Sequence, residues 1–195
     1  SGYDATLLTE QTLTGTLDLT AIANEVMQPE AAVTAKVTVT LRELTPENVE
    51  FKDKIAVYTG EPIPHTLPEG IAGVASVRYE YAGADYAASE TAPTDVGTYT
   101  VTATFTMQPG YTQLAPMAAT LTINKAEGSL TAPTSAELTY NGESQTLVNA
   151  GETATGTLEY KLDGSEYSTE IPEATAAGSY VVFYRVVGDK NHEDV

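Results

Sequence analysis

The sequence predicts an all-β protein made of tandem β-sandwich repeats. Apolar residues alternate with threonine over residues 99–106 (YTVTATFT), a pattern typical of strands with one buried face. Similar runs are separated by glycine, proline and Asn-Gly or Asp-Gly pairs, as in β-sandwiches with short strands. The third observation is a repeat, because residues 95–101 (DVGTYTV) return 81 positions later as residues 176–182 (AAGSYVV).

The repeat extends beyond this stretch. Residues 58–61 (YTGE) match residues 140–143 (YNGE), and residues 79–86 (YEYAGADY) match residues 160–167 (YKLDGSEY). These matches occur in the same order, so they predict a head-to-tail array. They divide the chain into the second half of a repeat at 1–45, a complete repeat at 46–125, and a repeat without its last strand at 126–195. We interpret the sequence as a piece of a longer array.

Composition excludes several classes of function. The chain has 27 acidic and 9 basic residues and a net charge of −18. Such a charge repels phosphates and anionic membrane surfaces, so we expect no nucleic-acid binding. No segment approaches the roughly 20 apolar residues of a membrane helix, so we expect no membrane insertion in this segment. Cysteine is absent, which excludes disulfides and thiol catalysis.

Turn signals and histidines complete the local analysis. The pairs at residues 141–142 (NG) and 163–164 (DG) predict two-residue hairpin turns in which both positions have φ > 0. His65 lies among prolines and His192 lies near the end of the sequence, so we expect both at the solvated surface. No pattern places a nucleophile beside a base. We therefore predict that the chain is not an enzyme.

The repeated stretch resembles the start of strand F in immunoglobulin-like domains. In those domains a tyrosine hydrogen-bonds back to nearby backbone and forms the tyrosine corner. The resemblance assigns this structural role to Asp95, Gly97 and Tyr99, and to Gly178 and Tyr180 in the last repeat. It implies tandem immunoglobulin-like β-sandwich domains in an elongated array.

Beyond this motif, the chain is similar to bacterial immunoglobulin-like repeats of the MBG/YDG type. The similarity runs through residues 58–60, 92–105 and 121–126, and through 138–142, 159–164 and 188–192 in the last repeat. The resemblance implies a non-catalytic stalk or adhesin-like array at the bacterial cell surface or in a secreted protein. Neighbouring repeats of the same protein are then its main partners.

Two groups of residues are candidates for binding. Tyrosine rings can form a stacking face for a glycan or a host surface protein, with placement in the core as the competing interpretation; the candidates are Tyr79, Tyr81, Tyr86 and Tyr111. Oxygen ligands suit structural calcium, and the candidate ligands are Asp189, Asn191 and Asp194. A binding module is therefore the alternative to a pure spacer. We expect no cofactor, with structural calcium at these three residues as the alternative.

The incomplete last repeat suggests a further partner. A repeat without its last strand exposes a sheet edge that can accept a strand from elsewhere. Residues 33–41 at the start of the chain alternate like such a strand. The sequence therefore predicts head-to-tail strand pairing between molecules.

Overall fold

A computed structural model describes residues 11–16 and 34–195, with side chains from residue 40 onward. The described residues form thirteen strands and one short helix, so the all-β prediction is confirmed. The elements are β1 Gln11–Thr16, β2 Thr34–Val39, α1 Pro46–Val49, β3 Lys54–Val57, β4 Val74–Gly83, β5 Tyr86–Ser89, β6 Gly97–Met107, β7 Met117–Asn124, β8 Thr134–Ser135, β9 Gln145–Thr146, β10 Val148–Asn149, β11 Gly156–Leu162, β12 Glu173–Ala174 and β13 Val182–Gly188. No helix among them is long and apolar enough to span a membrane.

The largest sheet has five strands in the order β3-β7-β6-β4-β5. β3 runs parallel to β7, with Lys54 opposite Leu121. β7 therefore lies between β3 and β6. The other sheets have two strands each: β1-β2, β8-β10, β9-β12 and β11-β13.

Strand β6 shows how the alternating pattern builds the core. Tyr99, Val101, Ala103 and Phe105 are buried, while the threonines between them are exposed or half-buried. β7 continues this face with three buried residues, Ala119, Leu121 and Ile123. Each fully buried valine, leucine, isoleucine or phenylalanine contributes about 1.5–3 kcal/mol. The two strands thus form the best-buried layer of the described chain.

The proline-rich segment at residues 62–67 is packed rather than solvated. Ile63, His65 and Leu67 are buried in alternation with outward residues. Prolines at 62 and 64 have no N–H, which limits any backbone ladder here. The expected surface position of His65 is therefore wrong. Its backbone N–H donates to the hydroxyl of buried Tyr81 at 3.2 Å.

The hairpin that contains Tyr81 in the complete repeat has a structural counterpart in the hairpin that contains Tyr160. The number of positions that separates the two hairpins differs from the one that the sequence indicates. Tyr81 pairs with Ser89, and Tyr160 pairs with Ser168 in the same way. The Tyr160 hydroxyl accepts the backbone N–H of Gly151, as the Tyr81 hydroxyl accepts that of His65. The sequence alignment, which matched residue 79 with Tyr160, is thus two residues out of register in this hairpin.

The two predicted hairpin turns have different outcomes. The turn at residues 163–164 closes through a hydrogen bond from the Ser165 N–H to the Leu162 carbonyl oxygen at 3.1 Å. Only Gly164 has φ > 0 in this pair. The hairpin predicted at residues 141–142 is wrong, because β8 pairs with β10 and β9 pairs with β12. The Asn141 side chain instead accepts the Glu143 N–H at 2.9 Å and forms a local turn.

The described residues divide into two compact units. One contains the described residues up to Lys52 with Thr66–Glu80 and Val101–Ala119. The other contains Asp53–His65, Tyr81–Thr100 and Thr120–Val195. The boundaries of the sequence repeats remain a prediction.

Candidate functional site: the repeat junctions

The segment that follows β7 is bonded to the loop that follows β13. The Ala126 N–H donates to the Asn191 carbonyl oxygen at 3.0 Å, and the Glu193 N–H donates to the Ala126 carbonyl oxygen at 2.8 Å. Ala126 and His192 thereby form a parallel bridge. We call this pairing the second junction. It ties the connecting segment to the loop of the predicted last repeat.

The same pairing occurs earlier in the chain. The Arg42 N–H donates to the Gly110 carbonyl oxygen at 2.8 Å, and the Thr112 N–H donates to the Arg42 carbonyl oxygen at 2.9 Å. Arg42 and Tyr111 form a parallel bridge. We call this pairing the first junction. Its loop, residues 110–112, precedes the loop of the second junction by the 81 positions that separate the repeated motifs.

Asn191 connects the second junction to the start of β6. It is only 6% exposed. Its Nδ2 donates to the Asp95 Oδ1 at 3.0 Å, and its Oδ1 accepts the Val96 N–H at 3.0 Å. The side-chain amide of Asn191 therefore uses both its donor and its acceptor, and its two partners are adjacent residues of the complete repeat. This geometry fixes the loop against the turn that leads into β6.

Lys190 adds an ion pair to the same carboxylate. Its Nζ lies 2.6 Å from the Asp95 Oδ2. Hydrogen bonds from Lys190 and Asn191 hold the pKa of Asp95 below its usual value. The hydrogen bond to Asp95 raises the pKa of Lys190. Both side chains are exposed, so the pair orients the loop more than it stabilises the fold.

A second lysine and a histidine order the loop itself. Lys125 Nζ donates to the carbonyl oxygens of Asp189 and His192 at 3.0 and 2.9 Å. The His192 Nδ1 lies 2.8 Å from the Asp189 Oδ1, and its ring meets the Tyr58 ring edge-on at 5.3 Å. Hydrogen bonds from His192 and from the Asn191 N–H lower the pKa of Asp189. The expected solvated position of His192 is wrong, because ring and carboxylate contacts enclose it.

Tyr99 positions Asp95 from the other side. Its hydroxyl donates to the Asp95 carbonyl oxygen at 2.8 Å. Burial raises the pKa of this hydroxyl, and the Asp95 charge adds to the effect. A side chain at Gly97 would place a Cβ 3.1 Å from the hydroxyl oxygen, which explains the glycine. The backbone carbonyl of Asp95 thus accepts a hydrogen bond from Tyr99 in its own repeat. The Asp95 carboxylate accepts hydrogen bonds from Lys190 and Asn191 in the loop that follows β13.

The last repeat contains the same corner without the carboxylate. The Tyr180 hydroxyl donates to the Ala176 carbonyl oxygen at 2.7 Å. The Tyr180 ring lies 3.7 Å from the position of a Cβ at Gly178, looser than the fit at Gly97. Alanine at 176 has no side-chain acceptor. This corner can hold its loop but cannot form the bonds that Asp95 makes to residues 190 and 191.

Tyr79 and Tyr81, two of the four tyrosines proposed as a ligand face, both lie on β4. Their hydroxyls accept hydrogen bonds from backbone N–H groups. Tyr79 accepts the Leu67 N–H at 2.8 Å. Tyr81 is 2% exposed, so its proposed place on an exposed face is wrong. The apolar side of β4 is covered by residues 62–67, and the ring of Tyr81 is consequently in the core.

The other two tyrosines are half-buried and do not join them. The Tyr86 ring meets Tyr99 edge-on at 5.6 Å, and its hydroxyl donates to the Thr91 carbonyl oxygen. Tyr111 lies at the first junction, where its hydroxyl is 3.5 Å from an Arg42 guanidinium nitrogen. Their hydroxyls have partners in the protein. The structure thus distributes these rings over a hairpin and a junction.

The proposed calcium ligands take part in hydrogen bonds within the loop and, for Asn191, with the turn before β6. Asp189 accepts from Asn191 and contacts His192, both amide ends of Asn191 are bonded, and Asp194 accepts the Gly188 N–H at 2.8 Å. Within residues 11–16 and 34–195, no three His, Cys, Asp or Glu side chains are grouped to hold a metal ion. Asp189 and Asp194 each use one carboxylate oxygen, Oδ1, in the hydrogen bonds that organise the loop.

Sequence reasoning separated residues that the structure brings together. It assigned Asp95 to a structural corner and Asn191 to a metal site, yet their side chains bond to each other. It missed Lys125 and Lys190 altogether. The sequence signal for this loop was the short polar run at residues 189–192 (DKNH). This run directly follows β13, as residues 108–111 directly follow β6.

Comparisons with protein-family models, with curated protein sequences and with solved structures give no match for this chain. The function is therefore inferred from the junctions themselves. They use backbone hydrogen bonds, one buried amide and one surface ion pair. Such an arrangement is suited to holding segments at a fixed orientation.

Proposed function

We propose that the chain is a non-catalytic structural array, a stalk or spacer that also supports adhesion, of a bacterial cell-surface or secreted protein. The observation that carries this proposal is the recurrence of one backbone pairing at Arg42 and at Ala126. A connector that only links two domains needs no defined partner and is typically flexible. A connector that forms the same two hydrogen bonds at successive positions is suited to setting a fixed angle between repeats.

The proposal includes immunoglobulin-like β-sandwich repeats. The succession β7-β6-β4-β5 corresponds to strands G, F, C and C′ of such a domain, and the parallel β3 corresponds to its first strand. The hydroxyl bonds of Tyr99 and Tyr180 add support, since each returns to a carbonyl four residues earlier. The resemblance to surface repeats of the MBG/YDG type agrees with this organisation.

The strong negative charge is consistent with an extracellular spacer. A net charge of −18 keeps neighbouring copies apart and soluble. Repulsion between repeats also favours separation along the array rather than collapse onto one another. The second junction offsets part of this repulsion, because Lys125 and Lys190 place two of the nine basic residues there.

A binding module is the second candidate, and one observation favours it. On the outward face of β11 and β13, Tyr167 lies beneath Lys161 at 4.7 Å and Arg185 at 4.1 Å, beside the exposed ring of Phe183. Rings and cations together can hold an acidic glycan. Here, however, the cations already cover the Tyr167 ring, so the array remains the better-supported function. A glycan array probed with the chain and with Phe183→Ala tests the alternative.

A distance measurement across the second junction tests the array. Because the chain has no cysteine, Ala88→Cys and Glu166→Cys give two specific sites for spin labels at exposed positions. We expect a narrow distance distribution by double electron–electron resonance, broadened by Asn191→Ala.

The matched control is Asn149→Ala. The side chain of this exposed asparagine donates to the Thr134 hydroxyl, away from the junction. It should leave the distribution narrow. A broad distribution in the parent chain, or equal widths in the two alanine variants, would contradict a fixed junction.

A further inference from the structure

The Asn-Gly pair at residues 141–142 forms an exposed local turn. The Asn141 Oδ1 accepts the Glu143 N–H at 2.9 Å, and φ at Gly142 is +81°. All three residues are exposed to solvent. A Cβ built at Gly142 would meet no atom within 4 Å. The turn is therefore accessible to water and has room to change its shape.

The complete repeat contains the same turn with a different closing residue. There the Thr59 Oγ1 accepts the Glu61 N–H at 3.4 Å, and φ at Gly60 is +83°. These residues are exposed as well. In both copies tyrosine precedes the closing residue and Gly-Glu follows it. The two turns thus differ in the closing side chain, which is a hydroxyl in one copy and an amide carbonyl at Asn141 in the other.

The amide carbon of Asn141 is an electrophile beside a backbone nitrogen. A bond between its Cγ and the nitrogen of Gly142 closes a succinimide ring, because the two atoms belong to consecutive residues. Glycine has no side chain that would hinder the approach of its backbone. Within the described part of the chain, neither the Gly142 N–H nor the Asn141 Nδ2 forms a hydrogen bond. The attacking and leaving groups are therefore both unrestrained.

The hydrogen bond from Glu143 favours this ring closure. Attack on Cγ places negative charge on the Asn141 Oδ1. The Glu143 N–H already donates to that oxygen at 2.9 Å. A donor directed at the oxygen on which charge develops stabilises the transition state. The same bond that closes the turn therefore also activates the amide.

We propose that Asn141 is a site of spontaneous deamidation in the folded protein. The Gly142 nitrogen loses its proton to hydroxide and attacks Cγ, so that the N–Cγ bond forms. The Cγ–Nδ2 bond breaks, and the amide nitrogen takes up a proton from water and leaves as ammonia.

Water then opens the succinimide at either carbonyl. Cleavage of the new N–Cγ bond gives aspartate at position 141. Cleavage of the bond from the Gly142 nitrogen to the main-chain carbonyl carbon gives isoaspartate, whose backbone is one carbon longer. In sum one water is consumed and one ammonia is released, without oxidation or reduction. Either product changes the net charge from −18 to −19.

The other described asparagines lack this arrangement. Asn191 is 6% exposed, and both ends of its amide are bonded. Asn149 lies in β10, and its Nδ2 donates to the Thr134 hydroxyl. None of these other asparagines precedes glycine; they are Asn48, Asn124, Asn149 and Asn191. We therefore expect the reaction to be selective for Asn141.

Incubation of the full folded chain at mildly alkaline pH, followed by peptide mapping with mass spectrometry, tests the proposal. The peptide that contains residue 141 should gain the mass difference between NH₂ and OH. It should appear in two chromatographic forms, aspartate and isoaspartate, with release of an equal amount of ammonia. The rate should rise in proportion to hydroxide concentration, because the attacking nitrogen must lose its proton. Asn149 and Asn191 should react at least tenfold more slowly.

The two copies of the turn supply matched variants. Asn141→Thr copies the turn of the complete repeat, so it should fold like the parent chain and lose the reaction. Thr59→Asn should create a second site that reacts within tenfold of the rate at Asn141. A synthetic peptide of residues 137–146 gives the rate without the fold, and the folded chain should react within tenfold of that rate.

Three results would overturn the proposal. The first is a reaction in the folded chain more than tenfold slower than in the peptide, which would mean that the fold protects Asn141. The second is the absence of reaction at position 59 in Thr59→Asn. The third is an equal rate at Asn149 or Asn191, which would remove the selectivity that the turn provides.

Discussion

Replacing Asn191 with alanine tests the second junction most directly. The substitution removes the bond to the Asp95 carboxylate and the bond from the Val96 N–H, at a side chain that is nearly inaccessible to solvent. A hydrogen bond to a charged group contributes about 1.5–3 kcal/mol and a neutral one about 0.5–1.5 kcal/mol. Because Asp95 is half exposed and keeps Lys190, the lower ends apply. The expected loss is therefore about 2 kcal/mol.

Calorimetry and urea denaturation measure this loss. For a cooperative unit of 60–100 residues, about 2 kcal/mol lowers the midpoint temperature by roughly 8–16 °C. Asn149→Ala is the control and should change stability by less than about 0.5 kcal/mol. A double-mutant cycle of Asn191→Ala with Asp95→Ala should show coupling of about 1 kcal/mol. Strict additivity, or a change no larger than that of the control, would refute the assigned contact.

Three further predictions concern the corner, its carboxylate and the first junction. Tyr99→Phe should lower the free energy of unfolding, measured by urea denaturation, by about 1 kcal/mol, because a buried hydroxyl bond is lost. Tyr180→Phe should lower it less, because the Tyr180 ring is more exposed. Equal losses for the two variants would contradict this order. The folded-state pKa of Asp95 lies below its usual 3.8. Its contribution to the free energy of unfolding is therefore present above pH 3.8 and is lost as the pH falls through the lowered pKa. Stability measured from pH 6 down to about 2 should therefore drop less steeply for Asp95→Asn than for the parent chain, and parallel profiles would argue against the bond. Gly73→Ala should lower the free energy of unfolding by about 1–3 kcal/mol, because φ at Gly73 is +89° and the new Cβ would lie 2.5 Å from the Tyr111 ring. An unchanged midpoint in thermal denaturation would contradict that packing.

The elements that the sequence predicted well are those with a local physical signal. Alternation of apolar and threonine side chains fixes which face of β6 is buried, because side chains of a strand point to opposite faces in turn. The corner tyrosines are equally local, since each bonds to a carbonyl four residues earlier. These features need only the chain geometry within one strand and its preceding turn.

The failures involve partners that are distant in sequence. The prolines around His65 indicated a solvated loop, but the hydroxyl of Tyr81 holds this segment against β4. The Asn-Gly pair at residues 141–142 has good turn chemistry, but the strands on its two sides pair elsewhere. In both cases tertiary pairing overrides a correct local preference.

The sequence by itself determined an all-β chain with an internal period, and the positions of its corner residues. Periodicity and spacing are local properties, so they survive without knowledge of the fold. Only the tertiary structure decided that Asp95 meets Lys190 and Asn191, which lie 95 and 96 positions away. It also decided that the oxygen-rich loop is hydrogen-bonded to the turn before β6. Contacts of such long range depend on how the strands pack, and composition carries no signal for them.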